Sequence, residues 1–132
     1  MSVFVDTSAL YAILDADDQN HEPAKRARTD LVSQGTEIIC TSYILIETFA
    51  LAQHRLGMEA VKVLQEDMSP VLHVEWIDEG THHAGITALL IAARRELSLV
   101  DCVSFDVMRR LGLKAAFTFD AHFAEQGFEQ IS

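Results

Sequence analysis

Val3-Phe4-Val5-Asp6-Thr7-Ser8 sets a short β-branched and aromatic run against an acid and two small hydroxyls. The run suits a buried strand, and its stop at Asp6 predicts a turn into a short helix over Thr7 to Asp15. The arrangement recurs near the other end of the chain, where Ala115 to Phe119 read as a strand that Asp120 ends. Between these two stretches helices and strands alternate. Pro23, a residue favoured at a first helical position, predicts a helix from about Asn20-His21-Glu22 to Ser33, stopped at Gly35. Glu37 to Cys40 read as strand two, and Thr41 or Ser42 caps a long helix through Arg55. Gly57 breaks that helix, and Met58 to Met68 continue as another before Pro70. Val71 to Ile77 give strand three, and Asp78 caps a helix reaching about Arg94. Ser98 and Asp101 form an S-x-x-D capping box for a helix to Leu111, with Gly112 as its stop and Phe128 to Ile131 as a short edge strand. Parallel neighbours need crossover connections, so this alternation predicts an α/β fold with a mainly parallel central sheet covered on both faces. In such sheets ligands bind outside the carboxyl ends of the strands, where Asp6 and Asp120 fall.

The 132 residues are 49% hydrophobic with no linker or low-complexity tract, which predicts one domain over residues 1–132. No apolar run approaches the roughly 18 residues that span a bilayer, and the N-terminus lacks a basic leader, so the expectation is a cytoplasmic protein with no membrane contact. Cys40 and Cys102 show no metal or disulfide spacing and read as small buried hydrophobes. The formal net charge of −10 argues against nucleic-acid binding through a broad basic face, because such binding rests on Lys and Arg neutralising phosphates. Acids gathered at a site whose cations supply the missing positive charge would account for part of it, and a basic protein partner for the rest.

Four acids carry the chemistry, and each also has a bland reading. Asp6 fits the N-cap of the first helix, and Asp120 fits a turn. Asp101 belongs to its capping box as readily as to a ligand site. Glu47 is the sole charged residue from Tyr43 to Ala52, and no base stands at i+3 or i+4, where Ala50 and Leu51 lie. A carboxylate in such a segment pairs with a distant cation, reaches solvent or binds a metal. The four converge on one rim only if the sheet order brings strands one and four together. Their repulsion would then be relieved by hard divalent cations, which prefer oxygen ligands and can activate water against a phosphodiester.

Val3-Phe4-Val5-Asp6-Thr7-Ser8, Glu47 in its apolar helix, and the block from Leu97-Ser98-Leu99-Val100-Asp101 to Thr118-Phe119-Asp120-Ala121-His122-Phe123 resemble the PIN domain family, in particular its VapC-like toxin ribonucleases. The resemblance covers nearly the whole chain. It implies a PIN-like, Rossmann-like three-layer sandwich and an endoribonuclease dependent on Mg²⁺ or Mn²⁺, one or two ions held by Asp6, Glu47, Asp101 and Asp120, with Asp120 acting through water. It implies in-line attack by metal-activated water, leaving 5′-phosphate and 3′-hydroxyl ends. Thr7, Ser8 and Thr118 look like hydroxyls that orient the acids, and Ser104, one turn beyond Asp101, is a candidate for positioning substrate, with helix packing as its alternative. The family also implies a homodimer, for which Ala84 to Ala93 offer an apolar face that reads equally as core, and allows a cognate antitoxin that places a basic side chain in the acidic site.

RNA needs positive charge beside these acids. Lys25, Arg26, Arg28, Arg109 and Arg110 read as solvated helix faces, whereas Arg94 and Arg95 precede the capping box and are favoured as RNA contacts. The six histidines show no ligand spacing, and none is needed as a general base. A non-catalytic PIN-fold interaction module is the alternative, though it would be expected to lose acids. A Mg²⁺-binding receiver domain calls for adjacent acids after strand one, where this chain has Asp6-Thr7.

Overall fold

The computed structural model describes residues 1–132. Five strands, β1 (Ser2–Val5), β2 (Glu37–Thr41), β3 (Leu72–Glu75), β4 (Ala115–Phe117) and β5 (Glu129–Ile131), form one sheet in the order β3-β2-β1-β4-β5. Every neighbouring pair is parallel, with Phe4 opposite both Ile39 and Ala116. The central strand β1 is buried on both faces at Val3, Phe4 and Val5, so its apolar run does not alternate.

Seven α-helices connect the strands. α1 (Thr7–Leu14) and α2 (His21–Ser33) link β1 to β2, and α3 (Ser42–Leu56) and α4 (Met58–Val63) lead towards β3. α5 (Glu79–Ala92) and α6 (Leu99–Leu111) carry the chain back across the sheet to β4, and α7 (His122–Glu125) precedes β5. The chain steps outward on one side of β1 and then resumes on the other. Right-handed crossovers in opposite directions place α1 to α4 on one face and α5 to α7 on the other, giving three layers. Phe105 of α6, Phe123 of α7 and Phe4 of β1 meet beneath that second layer, with ring centroids 5.0 Å and 6.2 Å apart along the chain of contacts. No helix is long and apolar enough to cross a membrane.

Several boundaries differ from those read in the sequence. α2 is not among them: it runs from His21 to Ser33 as expected, with Pro23 in a first turn whose N–H groups lack helical partners. The helix expected over Met58 to Met68 changes character at Leu64, where a π-helical turn over Leu64–Met68 buries both of those side chains. β4 stops at Phe117 rather than Phe119, since the Phe119 N–H turns to the Ser8 hydroxyl. The short helix α7 falls where no helix was expected.

α5 is mostly exposed. Thr81 and Gly85 are its buried residues, while Leu90 and Ile91 lie 73% and 80% exposed, so within Ala84 to Ala93 only Gly85 is buried and the apolar face is largely surface. Its contact with α6 depends on Gly85, where an added Cβ would come within 2.5 Å of Val103 Cγ2. Val103 is fully buried and cannot yield. Gly85→Ala is therefore expected to destabilise the fold by about 1–3 kcal/mol, the usual cost of overpacking. Equilibrium denaturation in urea measures it; a midpoint matching the wild type would contradict this account of the α5–α6 contact.

Candidate active site

The switch in strand order leaves a crevice at the carboxyl ends of β1 and β4. Asp6 follows β1 directly and serves as N-cap of α1, its Oδ1 facing the Ala9 N–H at 3.4 Å. The Ser8 hydroxyl donates to the same oxygen at 2.7 Å and accepts from the Phe119 N–H at 2.9 Å. Ser8 thus ties the loop after β4 to the acid after β1. Thr118, fully buried, lies 3.4 Å from Ser8 Oγ and accepts from the Asp120 N–H at 2.9 Å, fixing the turn that presents the second acid.

The other two acids come from the opposite helical layers. Thr41 caps α3 through the Ile44 N–H, and Glu47 projects from the second turn of that helix into the crevice. Thr48 beside it bonds back to the Ile44 carbonyl and touches the Thr7 hydroxyl at 3.5 Å, holding α3 to α1. Asp101 closes both halves of the expected capping box with Ser98, one carboxylate oxygen accepting from the Ser98 N–H at 3.1 Å. Capping uses only part of the carboxylate's acceptor capacity, so the two readings of Asp101 are compatible. Asp6, Glu47, Asp101 and Asp120, with Thr7, Ser8, Ser98 and a fifth acid that the sequence reading did not single out, Asp18, line one open cleft of about 420 Å³.

None of these acids is paired with Lys or Arg. Asp6 is 5% exposed, and burial pushes its carboxyl up to about 7 despite hydrogen bonds from Ser8, Thr118 and Ala9, with the charge of Asp120 adding to the rise. Burial raises Asp101 as well, and Asp120 again contributes. Carboxylates so placed resist ionising together unless a cation joins them.

The structure adds a residue that the sequence reading passed over. His122 opens α7 and sets Nδ1 3.0 Å from Asp120 Oδ1 and 4.0 Å from Asp101 Oδ2. That nitrogen is buried, yet no hydrogen bond is formed at it. Asp101, Asp120 and His122 can each aim one ligand atom into a space less than 4.8 Å across. An oxygen-rich donor set, a desolvated acid with no basic partner and a ring nitrogen set among two carboxylates together fit a divalent cation.

Other expected residues lie elsewhere. Ser104 is fully buried and donates to the Val100 carbonyl at 2.8 Å, so it packs its own helix and does not face the cleft. Arg94 is engaged by Glu96 and Glu125 at 2.9 Å and 3.2 Å, and neither it nor Arg95 lines the cleft. The basic residue in the cleft wall is Arg55.

The raised Asp6 carboxyl has a consequence for stability. The folded state holds this proton more tightly than the unfolded chain does. The associated stabilisation is complete below about pH 4 and is lost as pH rises through about 7. Without metal, melting temperature should fall across that window, and Asp6→Asn, which keeps the cap, should flatten the fall. The difference at pH 8 is on the order of a few kcal/mol. Parallel pH profiles for the two proteins would show that Asp6 is not the desolvated acid described here.

Comparison with known proteins agrees with this geometry. The PIN domain model matches residues 3–129. The 23S rRNA-specific endonuclease VapC20 of Mycobacterium tuberculosis is 33% identical over 130 residues, covering 98% of this chain and 97% of its own. The crystal structure of VapC20, described as a sarcin-ricin loop cleaving toxin, superposes with a TM-score of 0.83 at 32% identity, covering 96% of this chain and 95% of that one. FitAcB from Neisseria gonorrhoeae shares the fold, with a TM-score of 0.71 at 13% identity over 100% of this chain and 97% of its own. The chain belongs to the PIN domain family, on its VapC-like side.

Proposed function

We propose that this protein is an endoribonuclease that hydrolyses RNA phosphodiester bonds with Mg²⁺ or Mn²⁺, held by Asp6, Glu47, Asp101 and Asp120. The observation that carries the reading is the convergence of four carboxylates on one switch-point cleft, with no ion pair to Lys or Arg. A bound divalent cation supplies Lewis-acid polarisation of a phosphoryl oxygen and a water nucleophile near neutral pH. The chain's own residues supply the rest. Ser8 fixes the direction of Asp6, the Thr118 hydroxyl fixes the backbone before Asp120, and the Ser98 box fixes Asp101. The buried setting of Asp6 keeps bulk water from screening its charge.

VapC20 directs the choice of substrate: the sarcin-ricin loop of 23S rRNA is the first to test, and the protein would meet it in the cytoplasm as the toxin of a toxin–antitoxin pair. The net charge of −10 suits an antitoxin that brings a basic side chain to the cleft. The exposed Leu90 and Ile91 of α5 suit a second copy of this chain.

EDTA-stripped protein incubated with total RNA, and with a synthetic sarcin-ricin stem-loop, is expected to cut when Mg²⁺ or Mn²⁺ is restored. Asp6→Asn and Asp101→Asn should abolish cutting and weaken Mn²⁺ binding in calorimetry. Ser8→Ala, which leaves the ligands in place, should cost about 10–100-fold in metal affinity or rate. Wild-type protein that takes up no Mn²⁺ would refute the mechanism. For the dimer, Leu90→Asp with Ile91→Asp should halve the mass seen by light scattering; an unchanged dimer would move the interface away from α5.

A further inference from the structure

We propose that Arg55 is the substrate-phosphate anchor of this cleft, a contact that binds the RNA strand beside the cleaved bond and takes no part in the chemical step. The inference rests on the nuclease reading and deepens it. A strand carrying one negative charge per nucleotide must approach a cleft lined by five carboxylates, and cations reduce but do not remove the need for a positive group on the protein. Arg94 cannot serve, because Glu96 and Glu125 already hold it.

Arg55 has the opposite circumstances. It is exposed, it lines the same cleft as the four acids, and it forms no ion pair despite their presence. Its guanidinium carbon stands 5.4 Å from the centroid of the Tyr11 ring, a cation–π contact that holds the group in place. The ring is itself buried and pinned by the Tyr11 hydroxyl, which donates to Asp15 Oδ2 at 2.9 Å. The contact restricts the side chain before RNA arrives, and a planar guanidinium presents paired N–H donors suited to phosphate oxygens.

The helix sets where that phosphate lies. Glu47, Leu51 and Arg55 stand four residues apart on one face of α3, and all three line the cleft. At 1.5 Å per residue, Arg55 is rooted about 12 Å along the axis from Glu47. That separation assigns Arg55 to a phosphate neighbouring the one at the acids, which predicts an effect on KM rather than kcat.

The test measures binding and turnover separately. In an Asp6→Asn background, a fluorescein-labelled sarcin-ricin stem-loop is titrated by anisotropy at several salt concentrations. Arg55→Ala should weaken binding about tenfold and make the slope of log K against log salt shallower by roughly 0.7–0.9, the loss of one phosphate contact. Arg55→Lys should keep the slope while losing part of the affinity, and Arg94→Ala should change neither. A phosphate contact is indifferent to sequence, so the slope reports Arg55 whichever RNA is the natural target. In otherwise wild-type protein, Arg55→Ala should raise KM about tenfold and leave kcat within about twofold. Thermal melts show whether loss of the Tyr11 contact unfolds the variant, and in that event Arg55→Lys against Arg55→Gln gives the same comparison of charge. Unchanged slope and KM with cleavage intact would overturn the anchor and leave the nuclease standing. Wild-type protein that cuts no RNA would overturn the nuclease reading, and the anchor with it.

Discussion

The parallel pairing of β1 with β4 is the constraint from which the site follows. Had β4 joined the sheet beyond β3, Asp6 and Asp120 would end strands on different parts of the rim, and each would be an ordinary cap or turn acid. Because β4 instead lies against β1, the sheet order reverses there and the two helical layers separate above it. α3 brings Glu47 down one wall and α6 brings Asp101 down the other. The side-chain bridge from Ser8 to the Phe119 N–H is the local fastening of this arrangement, since it ties the first turn of α1 to the loop after β4, 111 residues apart in sequence.

Once the acids are together, electrostatics opposes what topology has assembled. Burial raises both Asp6 and Asp101, and Asp120 adds to each. Folding supplies no compensating Lys or Arg and leaves His122 Nδ1 buried without a hydrogen bond. A protein selected for stability alone would neutralise such a cleft with a basic residue or replace an acid with an apolar one. The strain is coherent as a cation site, where the energy of binding metal repays the desolvation already incurred.

Much of this was legible where the signal was local. The caps at Asp6, Thr41, Asp78 and Ser98 are dictated by a residue and its next three neighbours, and all four form as expected. Glu47 stood out because it is the only charged residue from Tyr43 to Ala52. Signals that depend on distant partners did not show. Arg94 looked free in sequence, yet one of its carboxylates, Glu125, lies 31 residues away. His122 sits in a four-residue helix too short to show a period, and its relation to Asp101 is tertiary. Ser104 was placed correctly on its helix, but a hydroxyl one turn on can bond backwards to its own backbone, and here it does. The i, i+4, i+8 spacing from Glu47 to Arg55 was available in the sequence and gains meaning only once the cleft shows which face of α3 is lined.

An acidic protein that acts on RNA is less paradoxical in this light. Broad basic surfaces supply tight, sequence-indifferent binding, which an enzyme selective for one RNA loop, as proposed above, would not need. With most surface charge repelling the strand, the proposed mechanism confines productive contact to the places where attraction would outweigh repulsion: the carboxylate cleft once it holds cations, and the guanidinium beside Tyr11. Repulsion elsewhere then acts against wrong substrates, because an RNA that cannot present a phosphodiester to the cleft and a neighbouring phosphate to Arg55 gains nothing to offset it. The same acidity that argues against a general nucleic-acid binder is consistent with a selective one.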